Sequence, residues 1–198
     1  MKTEVDSTTQ SFLIWLTHDA VEAHSQQQNP APLSLAWETF SQSRQLPQYD
    51  QNLLEGNHGA FVSWYLHGTL QGCIGTFQRS NPLWKTIQQM AVYAATQDPR
   101  FTPVTSEQIP HLRAEISVLL PPVPISGPDE VLIGRDGLVV ETTQHRGVLL
   151  PQVATQRGWN AEEFLEHTCI KARLPIDAWK QEDTMLHRFE AVVIEEGK

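Results

Sequence analysis

The sequence predicts an α+β domain, and three observations carry that expectation. After Asp6, apolar residues recur at three-to-four spacing, which is a helical period. Residues 60–77 form two short β-branched and aromatic runs joined by His67-Gly68-Thr69, the pattern of a hairpin. The order hairpin, helix, helix, strand then occurs twice along the chain, with no residue-level repeat.

Asp6-Ser7-Thr8 supplies N-cap residues for a first helix over about 7–27, with Phe12, Leu13, Leu16, Ala20 and Val21 on its inner side. Gln26 to Pro30 ends it. Residues 31–55 are irregular and punctuated by prolines, with a short helix around Trp37 and Phe40. Residues 60–66 read as a strand and 70–77 as its return. Gly72 and Gly75 flank Cys73-Ile74, and glycines inside a strand mark a bulge or the close approach of another group. Asn81 is expected as the N-cap, with Pro82 in the first turn, of a helix that turns Leu83, Ile87, Met90 and Ala94 inward and ends near Asp98-Pro99. A helical turn from Thr105 or Ser106 through Ile109 leads to a strand over 112–120, which Pro121-Pro122-Val123-Pro124 stops. Residues 137–143 and 147–150 form the second hairpin around Gln144-His145-Arg146. Pro151 opens a helical turn, Asn160 caps a helix carrying Phe164, Leu165 and Cys169, and 184–194 is the final strand.

A chain of 198 residues with 40% hydrophobic and 19% charged residues can bury a real core in one domain. Its formal net charge of −9 argues against nucleic acid as the partner, because phosphate-backbone binding needs lysine and arginine. No apolar run approaches the ~20 residues of a membrane span. The start, Met1 to Asp6, is polar and acidic and lacks the regions of a signal peptide. Two cysteines are no disulfide framework, so a reducing compartment, the cytoplasm, is expected.

Several segments then point to one family. Ala60-Phe61-Val62, Leu70-Gln71-Gly72-Cys73-Ile74-Gly75, the run from Ala94 to Phe101, Glu115-Ile116-Ser117-Val118-Leu119, Asp136-Gly137-Leu138 and Leu149-Leu150-Pro151-Gln152-Val153 together resemble the AMMECR domain family. Its bacterial and archaeal members are called AmmeMemoRadiSam system protein A. The resemblance covers roughly 59–195, with the first helix in its expected place, so it implies one AMMECR-type domain over 1–198. It implies an α+β fold with a single curved, mainly antiparallel sheet and peripheral helices. It also implies a genetic association with a Memo-like protein, similar to metal-dependent dioxygenases, and with a radical S-adenosylmethionine (radical SAM) protein. It supplies neither a reaction nor a cofactor. Two positions depart from the family pattern. Gln71 stands where the family has arginine, and Arg173, in Lys171-Ala172-Arg173-Leu174-Pro175, stands where it has glycine, so glycine is not strictly needed there.

The sharpest chemical candidate is Cys73. Between small neighbours its thiol is open to a ligand, and a nearby cation or helix N-terminus would activate it; the other reading is a small apolar filler in a tight strand. Gln71, Gly72 and Gly75 are the candidate substrate-binding neighbours. Alternation puts Glu115 on the face of Ser117, either as an edge charge or facing the same cleft as Cys73. His145-Arg146 reads either as a solvated turn or as a cationic rim beside Cys73, with His145 as general base and Arg146 holding substrate. Cys169 reads as a buried, inert thiol. In Asp98-Pro99-Arg100, Asp98 bonds local backbone and Arg100 pairs with it or with a helix end. No metal-ligand spacing, Gly-rich phosphate loop or nucleophile elbow is present. Two functions follow: a thiol-dependent enzyme or enzyme component using Cys73, Glu115 and His145, or a non-catalytic binding or scaffold protein.

Overall fold

Asp6 opens the first helix as expected: its carboxylate accepts the Thr9 amide at 2.9 Å and the Thr9 hydroxyl at 2.6 Å. The computed structural model describes residues 5–42 and 46–197, so the reading of the first residues as leaderless falls in part, at 1–4, outside the described residues. The chain divides into two compact units, Met1–Val118 with Val192–Lys198, and Leu119–Ala191.

In the first unit, α1 (Ser7–Ser25) buries Phe12, Leu13, Leu16 and Ala20. The short helix expected near Trp37 is α2 (Leu33–Ser41), whose Trp37 and Phe40 rings stand 5.0 and 5.2 Å from that of Phe12. A further helix, α3 (Gln51–Glu55), was not expected; it is five residues long and capped by Asp50. The hairpin of β1 (Ala60–Leu66) and β2 (Thr69–Thr76) turns through His67 and Gly68 at φ 51° and 80°. Two positive φ values match the two-residue turn whose twist suits a hairpin. The next helix, α4 (Leu83–Thr96), corrects one expectation. Its N-cap is Pro82, with no side-chain cap bond. The Leu83 amide donates instead to the Gly56 carbonyl at 2.9 Å, which satisfies an otherwise orphaned donor without Asn81. Trp64, fully buried, donates its indole N–H to the Ala91 carbonyl at 2.9 Å and so fixes β1 on α4. β3 (Leu112–Leu119) pairs with β1.

The second unit holds β4 (Val123–Ile125), β5 (Asp136–Glu141), β6 (Arg146–Leu149), α5 (Pro151–Arg157) and α6 (Ala161–Lys171). Its core is Leu138, Val140, Phe164, Leu165, Cys169 and Leu186. The proline run after β3 does not end pairing. Val123–Ile125 pairs with the last strand, β7 (Met185–Glu195), and Pro124 is tolerated because β4 pairs on one side alone. The strands are hydrogen-bonded in the order β2-β1-β3-β7-β5-β6, with β4 beside β7, and the registered pairs are antiparallel. The expected duplication is visible within each unit. The first pairs as β2-β1-β3 and the second as β6-β5-β7, so in both the hairpin's first strand lies between its partner and the closing strand.

Arg173 gives a stability prediction. After α6 it takes the left-handed conformation, φ 61°, while the Leu174 amide closes on the Cys169 carbonyl at 3.0 Å. This is the helix ending that glycine adopts without steric cost. Arg173 shows that glycine is not required here, but the exposed Arg173→Gly variant is expected to gain about 1 kcal/mol, measured by urea unfolding.

Candidate functional site

Successive side chains of β1 alternate between two faces. Ala60, Val62 and Trp64 enter the helix-packed core, so Phe61, Ser63 and Tyr65 occupy the other face. Register then decides who joins them. Ser63 stands opposite Cys73 in β2 and opposite Glu115 in β3, so thiol, hydroxyl and carboxyl form one row across three strands. Phe61 likewise lies between Gly75 and Ser117. Cys73 is half-buried and free, and Ser63 is buried.

Behind the row, Asp98 and Arg100 tie down the Cys73 backbone. Asp98 Oδ2 accepts the Cys73 amide at 2.8 Å, and Arg100 Nη2 donates to the Cys73 carbonyl at 3.0 Å. The two side chains also pair: Arg100 Nη2 lies 2.7 Å from Asp98 Oδ2, and Arg100 Nε lies 2.9 Å from Oδ1. Hydrogen bonds from Arg100 and Cys73 hold the Asp98 carboxyl well below the usual carboxylate range. Arg100 is pushed higher still, first by its bond to Asp98 and further by the nearby Cys73 thiol.

Glu115 shows the opposite shift. Burial, then the charge of Glu195, pushes its carboxyl above the usual range, while a hydrogen bond from the Tyr65 hydroxyl works against that. Tyr65 is itself raised, by burial first and then by Glu115, Cys73 and Glu195. Glu115, half-buried, thus shares its row with the Cys73 thiol and holds its proton longer than an ordinary carboxyl. Among the described residues no group of three or more His, Cys, Asp or Glu is arranged to hold a metal.

The candidate residues separate as follows. Cys73, Gly75 and Glu115 share the face turned away from the helix-packed core. Gly72 faces the other way, where a β-carbon would lie 1.9 Å from the Ala94 carbonyl oxygen of α4. Gln71 is the extra residue of a bulge, because Trp64 pairs with Gly72 and Tyr65 with Leu70. His145 and Arg146 belong to the second unit, exposed at the β5–β6 turn, where Arg146 lies 3.5 Å from Glu141. The cation that reaches Cys73 is Arg100. Cys169 is fully buried in the second unit's core, and burial pushes its thiol up. Ser63 and Tyr65 escaped notice, although the alternation of β1 placed both on the face away from Val62 and Trp64. Glu195 carried no local signal.

The chain matches the AMMECR1 family over residues 20–194. It is 46% identical over 148 residues to a protein of Pyrococcus furiosus, covering 70% of each chain. A protein of Methanothermobacter thermautotrophicus is 41% identical over 162 residues, covering 79% of this chain and 84% of its own. The crystal structure of an uncharacterised protein from Pyrococcus horikoshii matches with a TM-score of 0.74 at 35% identity, covering 96% of this chain and 92% of that one.

Proposed function

The chain belongs to the AMMECR1 family, and on that premise we propose that it is a thiol-using enzyme, or the thiol-bearing component of one. Cys73 receives an acyl or one-carbon group and Glu115 supplies the proton. The thiol gives its proton to solvent, the sulfur attacks the electrophilic carbon, the bond to the leaving group breaks, and the leaving group takes the Glu115 proton. Tyr65 orients Glu115, and Arg100 holds the Cys73 carbonyl in place. The protein works in the cytoplasm with a Memo-like protein and a radical SAM protein, the partners the family resemblance suggests. The observation that carries this proposal is the Cys73–Ser63–Glu115 row.

Iodoacetamide labelling of the folded protein across pH tests it. Cys73 is expected to react in the folded protein, while Cys169 reacts only on unfolding. Protection of Cys73 until the chain unfolds rules the thiol chemistry out.

Glu115→Gln gives an independent check. Because the folded-state pKa of Glu115 is raised, its favourable contribution is complete below the ordinary carboxylate range and is lost as pH rises through the folded value. Glutamine has no such loss. The Tm difference, variant minus wild type, should grow from pH 5 to pH 8 while cellular activity falls.

One observation favours a second reading, a non-catalytic binding or scaffold protein. Both backbone groups of Cys73 are tied to Asp98 and Arg100, as a packing role also requires. A Cys73→Ser variant with unchanged Tm and intact cellular function selects that reading.

A further inference from the structure

Away from the Cys73 face, the first unit carries a groove of about 630 Å³ along the outer side of α4. One wall is the helix itself, where Trp84, Lys85, Gln88, Gln89, Val92 and Tyr93 follow the three-to-four spacing of a single face. The opposite wall is the end of α1 and the loop after it, including His24, Gln28 and Pro30.

That loop is built rather than loose. Gln27 takes the left-handed conformation at φ 59°, and the Gln28 amide closes on the Ala23 carbonyl at 2.8 Å. Ala31 is held from both sides. Its carbonyl accepts Gln88 Nε2 at 2.9 Å, and its amide donates to the Asp19 carboxylate. Gln88 is 6% exposed, so this bond sits in the floor and fixes the width of the groove.

Length, lining and charge together define an occupant. From Trp84 to Tyr93 the helix rises about 13.5 Å, the reach of about four residues of extended chain. Trp84 and Tyr93 offer flat apolar contact, while the amides of Gln28, Asn29 and Gln89 can each donate and accept, as a peptide backbone requires. In a chain of net charge −9, no aspartate or glutamate among the described residues lines this groove. Lys85 is exposed and has no ion pair among the described residues, and it stands in the first turn of α4, where the helix end is positive. His24 also lines the groove. We propose that this groove binds an extended acidic peptide segment, its backbone on the amides, its carboxylates on Lys85 and His24, and an apolar residue against Trp84. The peptide is a partner's, bound at a place separate from the thiol face.

The test uses the full chain and fluorescein-labelled hexapeptide pools, with glutamate fixed at positions 2, 4 and 6 and the rest randomised. A pool with lysine at the same positions is the control, and anisotropy is the readout. Saturable binding of the glutamate pool is expected, weakened at least tenfold by Lys85→Glu and by Trp84→Ala, and weakened by added salt. Lys85→Glu should leave the melting temperature unchanged or slightly raised, since an acid in the first turn of a helix is favourable. Equal binding of the two pools, or unchanged binding by the Lys85→Glu variant, overturns the proposal. So does a groove occupied only by a second copy of the chain, seen as concentration-dependent dimerisation that Lys85→Glu abolishes and the glutamate pool does not compete with.

Discussion

Asp98→Ala is expected to destabilise the protein by about 3 kcal/mol at pH 7. The Asp98 side chain is 2% exposed and accepts the Cys73 amide, the Arg100 amide and two Arg100 side-chain nitrogens. Alanine leaves the Cys73 amide without its acceptor inside the structure. Arg100, whose side chain is 59% exposed, can turn to water, so the loss stays below that of a fully buried ion pair. The pH dependence has a definite sign. A carboxyl held low in the folded state contributes stability that is complete above the ordinary carboxylate value of about 4 and is lost as pH falls through the folded value. Urea unfolding should therefore show the full gap between wild type and variant at pH 7 and a shrinking one below about pH 4. A gap that is constant from pH 7 to pH 2 would mean that the ionised form is not what holds the strand.

This contact also marks the limit of what the sequence discloses. Pairing of Arg100 with Asp98 was legible, because a single residue separates them and that residue, a proline, forces a turn. That the same pair clamps Cys73, with Asp98 25 residues further along the chain, was not, since sequence carries no trace of which strand passes beneath a helix end. Elements with a strong period were legible: α1 from its apolar spacing, β1 and β2 from their composition and the His67-Gly68 turn. Elements held by partners rather than by pattern were missed. α3 is one turn fixed by Asp50, and β4 is three residues that exist because β7 offers an edge. For the site, alternation placed Glu115 with Ser117, and Cys73 already stood out between its glycines. Register supplied the rest, because Ser63 and the thiol meet only once Trp64 is paired with Gly72 and the bulge at Gln71 is counted.

Gly72→Ala should be at least as damaging as Asp98→Ala, for a steric reason. A β-carbon at 72 would lie 1.9 Å from the Ala94 carbonyl oxygen and 2.9 Å from its carbon. Those are helix backbone atoms, and no rotamer change removes them. Either β2 leaves β1 or α4 lifts from the core that Ile87, Ala91 and Ala94 help to fill. Overpacking of this kind costs about 3 kcal/mol or more when the neighbour cannot yield. Gly68 is the internal control. It has φ 80° and nothing within 4 Å of an added β-carbon, so Gly68→Ala is charged only the left-handed penalty, about 1 kcal/mol. Both variants can be compared by denaturant unfolding, with Cys73 labelling followed in parallel. Because Asp98 follows α4 directly, lifting that helix at Ala94 also pulls the carboxylate from the Cys73 amide, so Gly72→Ala should alter the thiol's labelling profile and Gly68→Ala should not. Equal costs for the two glycines would refute the close approach of strand and helix as the reason for glycine beside Cys73.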